Sequence, residues 1–375
     1  MKFHGIDLHT DSLLSGCLFF KDEKMNISTS KYYLHGDSFQ KFKNSLSNED
    51  YVLIESCINA FWLYDQLKPL VKDCFILNTI KFKQTTNKTD KIDVTKLAKK
   101  LAYYVIAGGD EGDLPQVYVP EIQIRELRGL FSTYKLNKKT INQYKNRIHS
   151  ILKQNGIASE RKKIFTKIFR NKIDELPIRS VWKFQIRKLF DLIDSLEENT
   201  NIIKQSIFKL GYSLFKNEVE LLLTIPGFSP LTAIALMSDI ANLNRFKSVK
   251  KFCAYLRTTP KVKGSNNSTQ IGNTNKEARS LTCSLLTQSI LHFINSGDYF
   301  NNFYTRIKVG KKAGVYRMAI IRKILVSTYY MLKRKKVFYW NDNDLYMRKL
   351  KDLEKELKIF TATENCKYLD LKEAA

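Results

Sequence analysis

Residues 50–55 read Asp-Tyr-Val-Leu-Ile-Glu, an almost unbroken apolar run between two carboxylates. Such a run is typical of a strand that is buried on both faces of a sheet. The neighbouring sequence adds further predicted elements, which are strands at 3–8, 12–20, 31–35 and 74–77 and helices at 59–71 and 89–107. This order of elements predicts an α/β domain with a mixed sheet.

The chain beyond residue 120 has a different, helical pattern. Apolar residues recur at helical intervals with basic residues between them, and Pro177 is expected to divide this stretch into separate helices. We interpret it as a long basic helical arm, for which a coiled coil is one form, although no clean heptad run specifies it. An all-α domain and a charged helical tail follow. The predicted boundaries are 1–115, 116–215, 216–340 and 341–375.

Basic residues are strongly clustered. The 375 residues include 63 Lys and Arg against 37 Asp and Glu, a formal net charge of +26. Residues 131–190 hold 16 basic and 3 acidic residues, and residues 306–336 hold 11 basic and none acidic, whereas residues 1–110 are nearly balanced at 15 against 13. One such run is equally typical of a solvated helix face. Two runs beside a near-neutral domain favour phosphate contacts, and thus a nucleic-acid partner.

Several classes of protein are excluded or disfavoured. No stretch approaches 18 consecutive apolar residues, so we expect no transmembrane helix and no membrane partner. Asp7 interrupts the N-terminus before a signal-peptide core could form. The 6 cysteines contain no C-x-x-C pair, which argues against a disulfide framework or a structural zinc site. A reducing, cytoplasmic setting is expected.

Four carboxylates form the candidate catalytic constellation. Asp7 lies in the first predicted strand, Glu55 ends a later one, and Asp90 and Asp93 share one side of a helix start. Taken singly, each has an ordinary structural role, such as a helix cap. Gathered at one edge of a sheet, they would repel one another unless a cation neutralised them, and oxygen ligands suit Mg²⁺ or Mn²⁺. Two such ions would suit cleavage of a phosphodiester.

Three segments carry a resemblance to a known family, namely 3-Phe-His-Gly-Ile-Asp-7, 52-Val-Leu-Ile-Glu-Ser-56 and 88-Lys-Thr-Asp-Lys-Ile-Asp-Val-94. They resemble the acidic motifs of the DEDD transposases of bacterial insertion sequences. The N-terminal domain of that family is similar to RuvC-type resolvases and has an RNase H-like fold. This chain departs from the family in having Cys57-Ile58 where Thr-Gly is usual after the glutamate.

The C-terminal half extends the resemblance. Residues 223–233, Leu-Thr-Ile-Pro-Gly-Phe-Ser-Pro-Leu-Thr-Ala, suggest a helix-hairpin-helix or an ordinary helix connection, and they resemble the start of the family's C-terminal transposase domain. Ser265 stands seven residues before Gly272, with Lys276 four further on, which is similar to the spacing around the family's nucleophilic serine. Asn266 and Ala278 stand where the family has glycine, so Ser268 stays open as an alternative nucleophile.

Basic residues near these motifs are candidates for nucleic-acid binding. Some surround the candidate serine, and others lie in a stretch that resembles the closing helices of the family. The candidates are Lys263, Lys276, Arg279, Arg306, Lys311, Lys312, Arg322 and Lys323.

The resemblance implies an insertion-sequence transposase that cuts and rejoins donor and target DNA. It also implies a non-coding bridge RNA as guide, dimers or tetramers whose active sites combine two subunits, and work at the bacterial nucleoid in the cytoplasm. One alternative is a RuvC-like structure-selective endonuclease that uses the four carboxylates and water without a covalent intermediate. Another is a nucleic-acid-binding protein without catalysis.

Overall fold

The computed structural model describes residues 1–80, 90–110, 112–158, 163–265, 268–274 and 278–361. It describes the backbone alone for residues 90, 91, 261–265, 268–271, 273 and 359–361. The chain divides into two compact units, Met1–Pro120 and Glu121–Ala375. The four-part division expected from the sequence stays a prediction. None of the described helices combines the length and the apolar character that a membrane span needs.

The first unit is built on a five-stranded mixed sheet, as the sequence predicts. Its elements are β1 Phe3–Leu8, β2 Ser12–Lys21, β3 Lys24–Tyr33, α1 Asp37–Asn44, β4 Tyr51–Glu55, α2 Ala60–Leu67, β5 Asp73–Leu77 and α3 Asp90–Ile106. The strand order is β3-β2-β1-β4-β5, and β1, β4 and β5 are parallel to one another. Strand β3 begins earlier than predicted. Its first residues were missed because most of the strand is exposed at the sheet edge and has no alternation of apolar residues.

Asp50 aligns the starts of β1 and β4. Its carboxylate accepts hydrogen bonds from the Lys2 amide at 2.7 Å and the Ser47 amide at 2.9 Å. Burial raises the pKa of Asp50, but hydrogen bonds from His4 and these amides outweigh it and lower the pKa to about 2. Asp50 is therefore ionised near neutral pH and holds the two strands in register at their first residues.

The sheet buries side chains on both faces. One face packs on α1 and α2 through a cluster that includes Ile6, Leu8, Val52, Ile54, Phe42 and Leu63. The other packs on α3 through a cluster that includes Phe3, Leu18, Leu53, Leu97, Ala98 and Leu101. Successive strand residues point to opposite faces, so the odd-numbered positions of β1 and β4 lie on the α3 side.

Two glycines allow the backbone of α3 to pack closely on the sheet. Gly5 of β1 and Gly16 of β2 are cross-strand partners. A Cβ on Gly5 would stand 2.4 Å from the Val94 carbonyl oxygen, and one on Gly16 would stand 2.8 Å from the same atom. The backbone of α3 therefore rests directly on these two residues, which fixes the height of its first turns above β1.

We expect Gly5→Ala to destabilise the first unit by about 1–3 kcal/mol, because the added methyl group meets helix backbone rather than a movable side chain. Urea denaturation of the full chain measures the change. Gly129→Ala in the second unit is the matched control, since a Cβ there meets no atom within 4 Å and alanine favours a helix. An unchanged midpoint in Gly5→Ala would contradict the close approach of α3.

The second unit is mostly helical. Its elements are α4 Ile122–Gln154, α5 Lys167–Asn171, α6 Ser180–Leu223, α7 Pro230–Ile240, α8 Val249–Tyr255, β6 Pro260–Ser265, β7 Ser268–Thr274, α9 Leu281–Gln288, α10 Ile290–Asn295, α11 Asp298–Lys308, α12 Ala313–Arg334 and α13 Asn343–Thr361. The strands β6 and β7 form an antiparallel hairpin. The expectation of an all-α domain was therefore wrong at this point, because the polar residues 260–265 pair as a strand with residues 268–274.

Helices α4 and α6 form an antiparallel pair. The end of α4 and the start of α6 share a core that includes Ile148, Ile151, Ile186 and Phe190. The start of α4 and the end of α6 belong instead to the large core of the C-terminal helices, which includes Leu127, Phe131, Phe208, Phe252 and Ile324. Pro177 lies between helices, as predicted. The helical arm thus has its own apolar core and is continuous with the domain that follows.

The predicted connection between α6 and α7 is present as a tight turn. Gly227 has φ +86°, and a Cβ there would stand 2.8 Å from the Phe293 ring. Ser229 caps α7 by accepting a hydrogen bond from the Thr232 amide at 3.2 Å, and Pro230 is the first helical residue. A helix-hairpin-helix function for this turn stays a prediction.

Candidate functional site

Two of the four predicted carboxylates lie side by side in the first unit. Asp7 is the penultimate residue of β1, and Glu55 is the last residue of the parallel strand β4. The register pairs Ile6 with Ile54, so Asp7 and Glu55 occupy the next opposed positions, on the α3 face. Their Cα atoms are about 5 Å apart by the ordinary spacing of neighbouring strands. We call this edge the acidic edge.

Other polar side chains join the acidic edge. The His9 Nε2 atom lies 3.6 Å from the Asp7 carboxylate. The Asn59 side-chain amide donates a hydrogen bond to the His9 backbone carbonyl at 3.2 Å. The Cys57 thiol donates to the Asn59 side-chain oxygen at 3.2 Å. Burial raises the pKa of Cys57, and the charges of Asp7 and Glu55 raise it further. In this structure the Cys57 thiol thus stands beside two carboxylates, and the His9 imidazole stands beside Asp7.

His9 and Cys57 were not among the site residues predicted from the sequence. Each stands two residues after a candidate carboxylate, His9 after Asp7 and Cys57 after Glu55. That spacing was the available signal, because a chain leaving the end of a strand brings its next residues to the same edge. The sequence alone cannot show that the two loops meet, since their contact runs through Asn59.

The other two predicted carboxylates belong to the first turn of α3, and only the Asp93 side chain is described. The helix begins at Asp90, and Val94, one turn later, lies over Gly5. Asp93 is half-buried and precedes the buried Leu97 by one turn, so it lies on the helix side that faces the sheet. The side chain of Asp90 is outside the described residues.

Among the side chains that the structure describes, no group of three or more His, Cys, Asp and Glu is positioned to hold a metal ion. The described part of the acidic edge nevertheless offers carboxylate oxygens on adjacent strands. Carboxylate oxygens are donors that suit Mg²⁺ or Mn²⁺.

The hairpin of the second unit brings the two candidate serines together. Ser265 ends β6 and Ser268 begins β7, and the two residues form the last cross-strand pair before residues 266 and 267. Their Cα atoms lie about 5 Å apart by ordinary hairpin geometry. Both positions are therefore at the hairpin tip, and backbone geometry alone does not distinguish them. Lys263 lies two residues before Ser265 on β6, whereas Lys276 is outside the described residues.

A buried carboxylate organises the segment after the hairpin. Asp239, 1% exposed, accepts hydrogen bonds from the Thr282 amide at 3.1 Å and the Thr282 hydroxyl at 2.7 Å. Its other oxygen lies 4.0 Å from Arg279 Nε, and the Arg279 amide donates to the Tyr255 carbonyl at 2.9 Å. Burial lowers the pKa of Arg128, and the nearby charge of Arg279 lowers it further. Cationic groups are thus concentrated around Arg279.

The remaining predicted basic residues lie on α11 and α12 or, for Lys311 and Lys312, between these two helices. Arg306, Lys311, Lys312 and Arg322 are exposed. Lys323 Nζ instead lies over two aromatic rings, 4.5 Å from the centroid of Tyr299 and 4.6 Å from that of Phe303. Arg306 also lies over the Phe303 ring, 5.6 Å from its centroid, so Arg306 and Lys323 both make cation–π contacts.

The helical arm contains both ion-paired and exposed cations. Lys145 pairs with Glu197 at 2.8 Å, and Lys188 pairs with Asp191 at 3.0 Å. Lys135, Lys138 and Lys139 are exposed on α4. The charge excess predicted from the sequence is thus partly offset by acidic residues of α6, and the exposed lysines of α4 are available for phosphate contacts.

One segment of the second unit matches a known protein family. Residues 219–305 match the family model described as Transposase IS116/IS110/IS902 family. The matched segment includes the turn before α7, the serine hairpin and Arg279. No curated protein matches the chain. The family match supports assignment to the insertion-sequence transposases, in agreement with the resemblance found in the sequence.

Proposed function

We propose that this protein is a DNA recombinase of the insertion-sequence transposase type, which cuts and rejoins DNA with the acidic edge and a serine nucleophile. The observation that carries the proposal is the pairing of Asp7 and Glu55 on one sheet face, together with the transposase match across the serine hairpin. A RuvC-like relationship for the first unit is part of the proposal.

The acidic edge is proposed to bind divalent cations. Asp7, Glu55, Asp90 and Asp93 would hold Mg²⁺ or Mn²⁺, which supplies charge stabilisation at a phosphodiester. These carboxylates repel one another, and a bound cation would offset that repulsion. The cation would also allow the negatively charged scissile phosphate to lie beside the carboxylates.

The serine is proposed to exchange DNA strands. Its hydroxyl oxygen forms a bond to phosphorus, the phosphorus–oxygen bond of the DNA breaks, and the departing DNA oxygen takes up a proton while the serine loses one. The hydroxyl of a second DNA strand then reverses this exchange and releases the serine, so no high-energy co-reactant is needed. We assign this role to Ser265, with Lys263, Lys276 and Arg279 supplying positive charge near the phosphate.

Guidance by a bridge RNA and assembly into dimers or tetramers are further parts of the proposal. They rest on the family resemblance and on the basic character of the chain, whose net charge is +26. Expression with the native flanking DNA, followed by sequencing of RNA that co-purifies, tests the guide. A single discrete RNA that maps beside the gene supports it, whereas heterogeneous or absent RNA favours a RuvC-like endonuclease.

The exposed lysines of α4 provide a test of phosphate contacts by the arm. Replacing Lys135, Lys138 and Lys139 with Gln should reduce the slope of log affinity against log salt by up to about 3, since each phosphate contact contributes about 0.9. DNA binding measured over a range of salt concentrations gives this slope. Replacing Lys21 and Lys24, exposed near the β2–β3 turn, is the matched control and should leave it unchanged. An unaltered slope in the triple variant would identify the α4 lysines as a solvated face.

A further inference from the structure

Two large aromatic side chains are exposed just after α12. Tyr339 is 87% exposed and Trp340 is 50% exposed. Aromatic rings carry a large apolar surface, and a folded chain usually covers most of it. Neighbouring exposed rings at one turn therefore suggest a surface that a partner covers.

The backbone that carries these rings is firmly held. The Phe338 amide donates to the Thr224 hydroxyl at 3.1 Å, and the Phe338 ring is buried and stacks on Phe300 with an interplanar angle of 4°. The Trp340 ring stacks on Tyr299, with centroids 4.0 Å apart and planes 23° apart. One face of Trp340 is thus occupied, and the Tyr339 ring packs against it in an edge-to-face arrangement, with centroids 5.0 Å apart and planes 80° apart. The ring is held in a defined orientation, and the residue remains half exposed.

The surroundings of the two rings are basic. Lys323 Nζ lies 4.5 Å from the centroid of Tyr299, which supports Trp340. Four consecutive exposed cations precede the rings, namely Lys333, Arg334, Lys335 and Lys336. Lys335 has φ +52°, so the chain turns out of α12 within this run. The nearby Asp342 accepts a hydrogen bond from the Leu345 amide at 3.0 Å and caps α13.

We propose that Tyr339 and Trp340 form a stacking platform for the bases of single-stranded nucleic acid, with the cations of residues 333–336 contacting its phosphates. Proteins that bind single strands combine these two features, aromatic faces for bases and a positive surface for the backbone. Bases paired inside a duplex do not present their faces to such rings. An apolar protein partner would have to bury four cations beside the rings, which is costly without paired acidic groups.

This inference goes beyond the proposed strand cleavage and requires no catalysis. The platform lies after the segment that matches the transposase family, which ends at residue 305. Binding is therefore measured with EDTA present, so the result does not depend on the acidic edge or on Ser265. Failure of the proposed recombinase chemistry and failure of the platform are then separate outcomes.

The test uses the full chain and fluorescence anisotropy of labelled oligo-dT, oligo-U and a duplex DNA. Tyr339→Ala and Trp340→Ala should each weaken binding of a single strand about tenfold, because each removes a stacking surface. Tyr339→Phe and Trp340→Phe keep a ring and should restore most of the affinity. Loss with oligo-dT, oligo-U or both supports the platform and identifies the single strand that it prefers.

A matched control is available in the first unit. Tyr33 is 50% exposed and Lys31 Nζ lies 5.3 Å from its ring centroid, so it offers an aromatic ring and a cation at another place. Tyr33→Ala should leave single-strand affinity unchanged. Unchanged single-strand affinity in Tyr339→Ala, which removes the more exposed ring, would overturn the proposal. So would a loss confined to duplex DNA, or a loss of self-association in place of oligonucleotide binding, which would assign the rings to a contact between copies.

Discussion

Asp7→Asn is expected to lower the rate of DNA cleavage about a thousandfold or more, with little change in DNA affinity. The substitution preserves the size of the side chain and removes the charge that would help to hold a divalent cation beside Glu55. Charge stabilisation by a metal ion at a phosphodiester is worth several kcal/mol, and each 1.36 kcal/mol is about tenfold in rate. Cleavage of a labelled DNA that carries the element ends measures the effect.

Asp22→Asn is the matched control for this prediction. Asp22 is exposed beyond the end of β2 and has φ +51°, a conformation that asparagine also tolerates, so the variant should cleave at the normal rate. Glu55→Gln should reproduce the loss seen in Asp7→Asn, since the two residues occupy opposed positions at the acidic edge. Cleavage at the normal rate in both Asp7→Asn and Glu55→Gln would contradict a catalytic role for the acidic edge.

Metal replacement provides a second arm of the same experiment. Calcium in place of magnesium should permit DNA binding but block cleavage, because Ca²⁺ takes a larger and more variable set of ligands. EDTA should abolish cleavage as well. Cleavage that persists in EDTA would contradict the assignment of the four carboxylates as metal ligands.

Ser265→Ala should abolish strand exchange, with a loss of about 10⁴-fold or more, since removal of a catalytic nucleophile has effects of this size. Ser268→Ala is the matched variant, because both serines belong to the same cross-strand pair at the hairpin tip. Strand exchange between labelled donor and target DNA measures both variants. A denaturing gel also reports whether a covalent DNA adduct forms in the wild type and is lost in Ser265→Ala.

The pair of serine variants distinguishes the remaining alternatives. Loss in Ser268→Ala alone would move the nucleophile to Ser268. Cutting that stays intact in Ser265→Ala and Ser268→Ala, yet is lost in Asp7→Asn, would identify a RuvC-like endonuclease that uses water. The two units therefore give separate signatures, carboxylate dependence for the first and serine dependence for the second.

Strong local patterns allowed most of the first unit to be predicted. The apolar run at residues 51–54 and the helix that begins at Asp90 are present where the sequence placed them. Helix α1 and the first part of β3 were not predicted, because α1 is short and β3 is mostly exposed. Such segments form through their neighbours in the sheet and core, which single-sequence patterns do not contain.

The hairpin β6–β7 shows the same limit in the second unit. Residues 260–274 are rich in Lys, Ser, Asn and Thr and have few apolar residues, and they were expected to belong to an all-α domain. Cross-strand pairing instead joins residues 260–265 and 268–274 as two strands and places Ser265 opposite Ser268. The chemistry of the segment was readable in its sequence, but its geometry was not.

The sequence by itself predicted the α/β first domain, the basic helical arm and the resemblance to transposases. Charge clusters, buried strand patterns and short motifs are properties of neighbouring residues, so they can be read from the sequence. It identified Asp7 and Glu55 as chemically related, although 47 positions separate them along the chain. Only the tertiary structure decided which side chains meet. Three features depend on contacts between distant segments, and those contacts exist only once the chain has packed. They are the strand register held by Asp50, the close packing of α3 on Gly5 and Gly16, and the exposure of Tyr339 and Trp340.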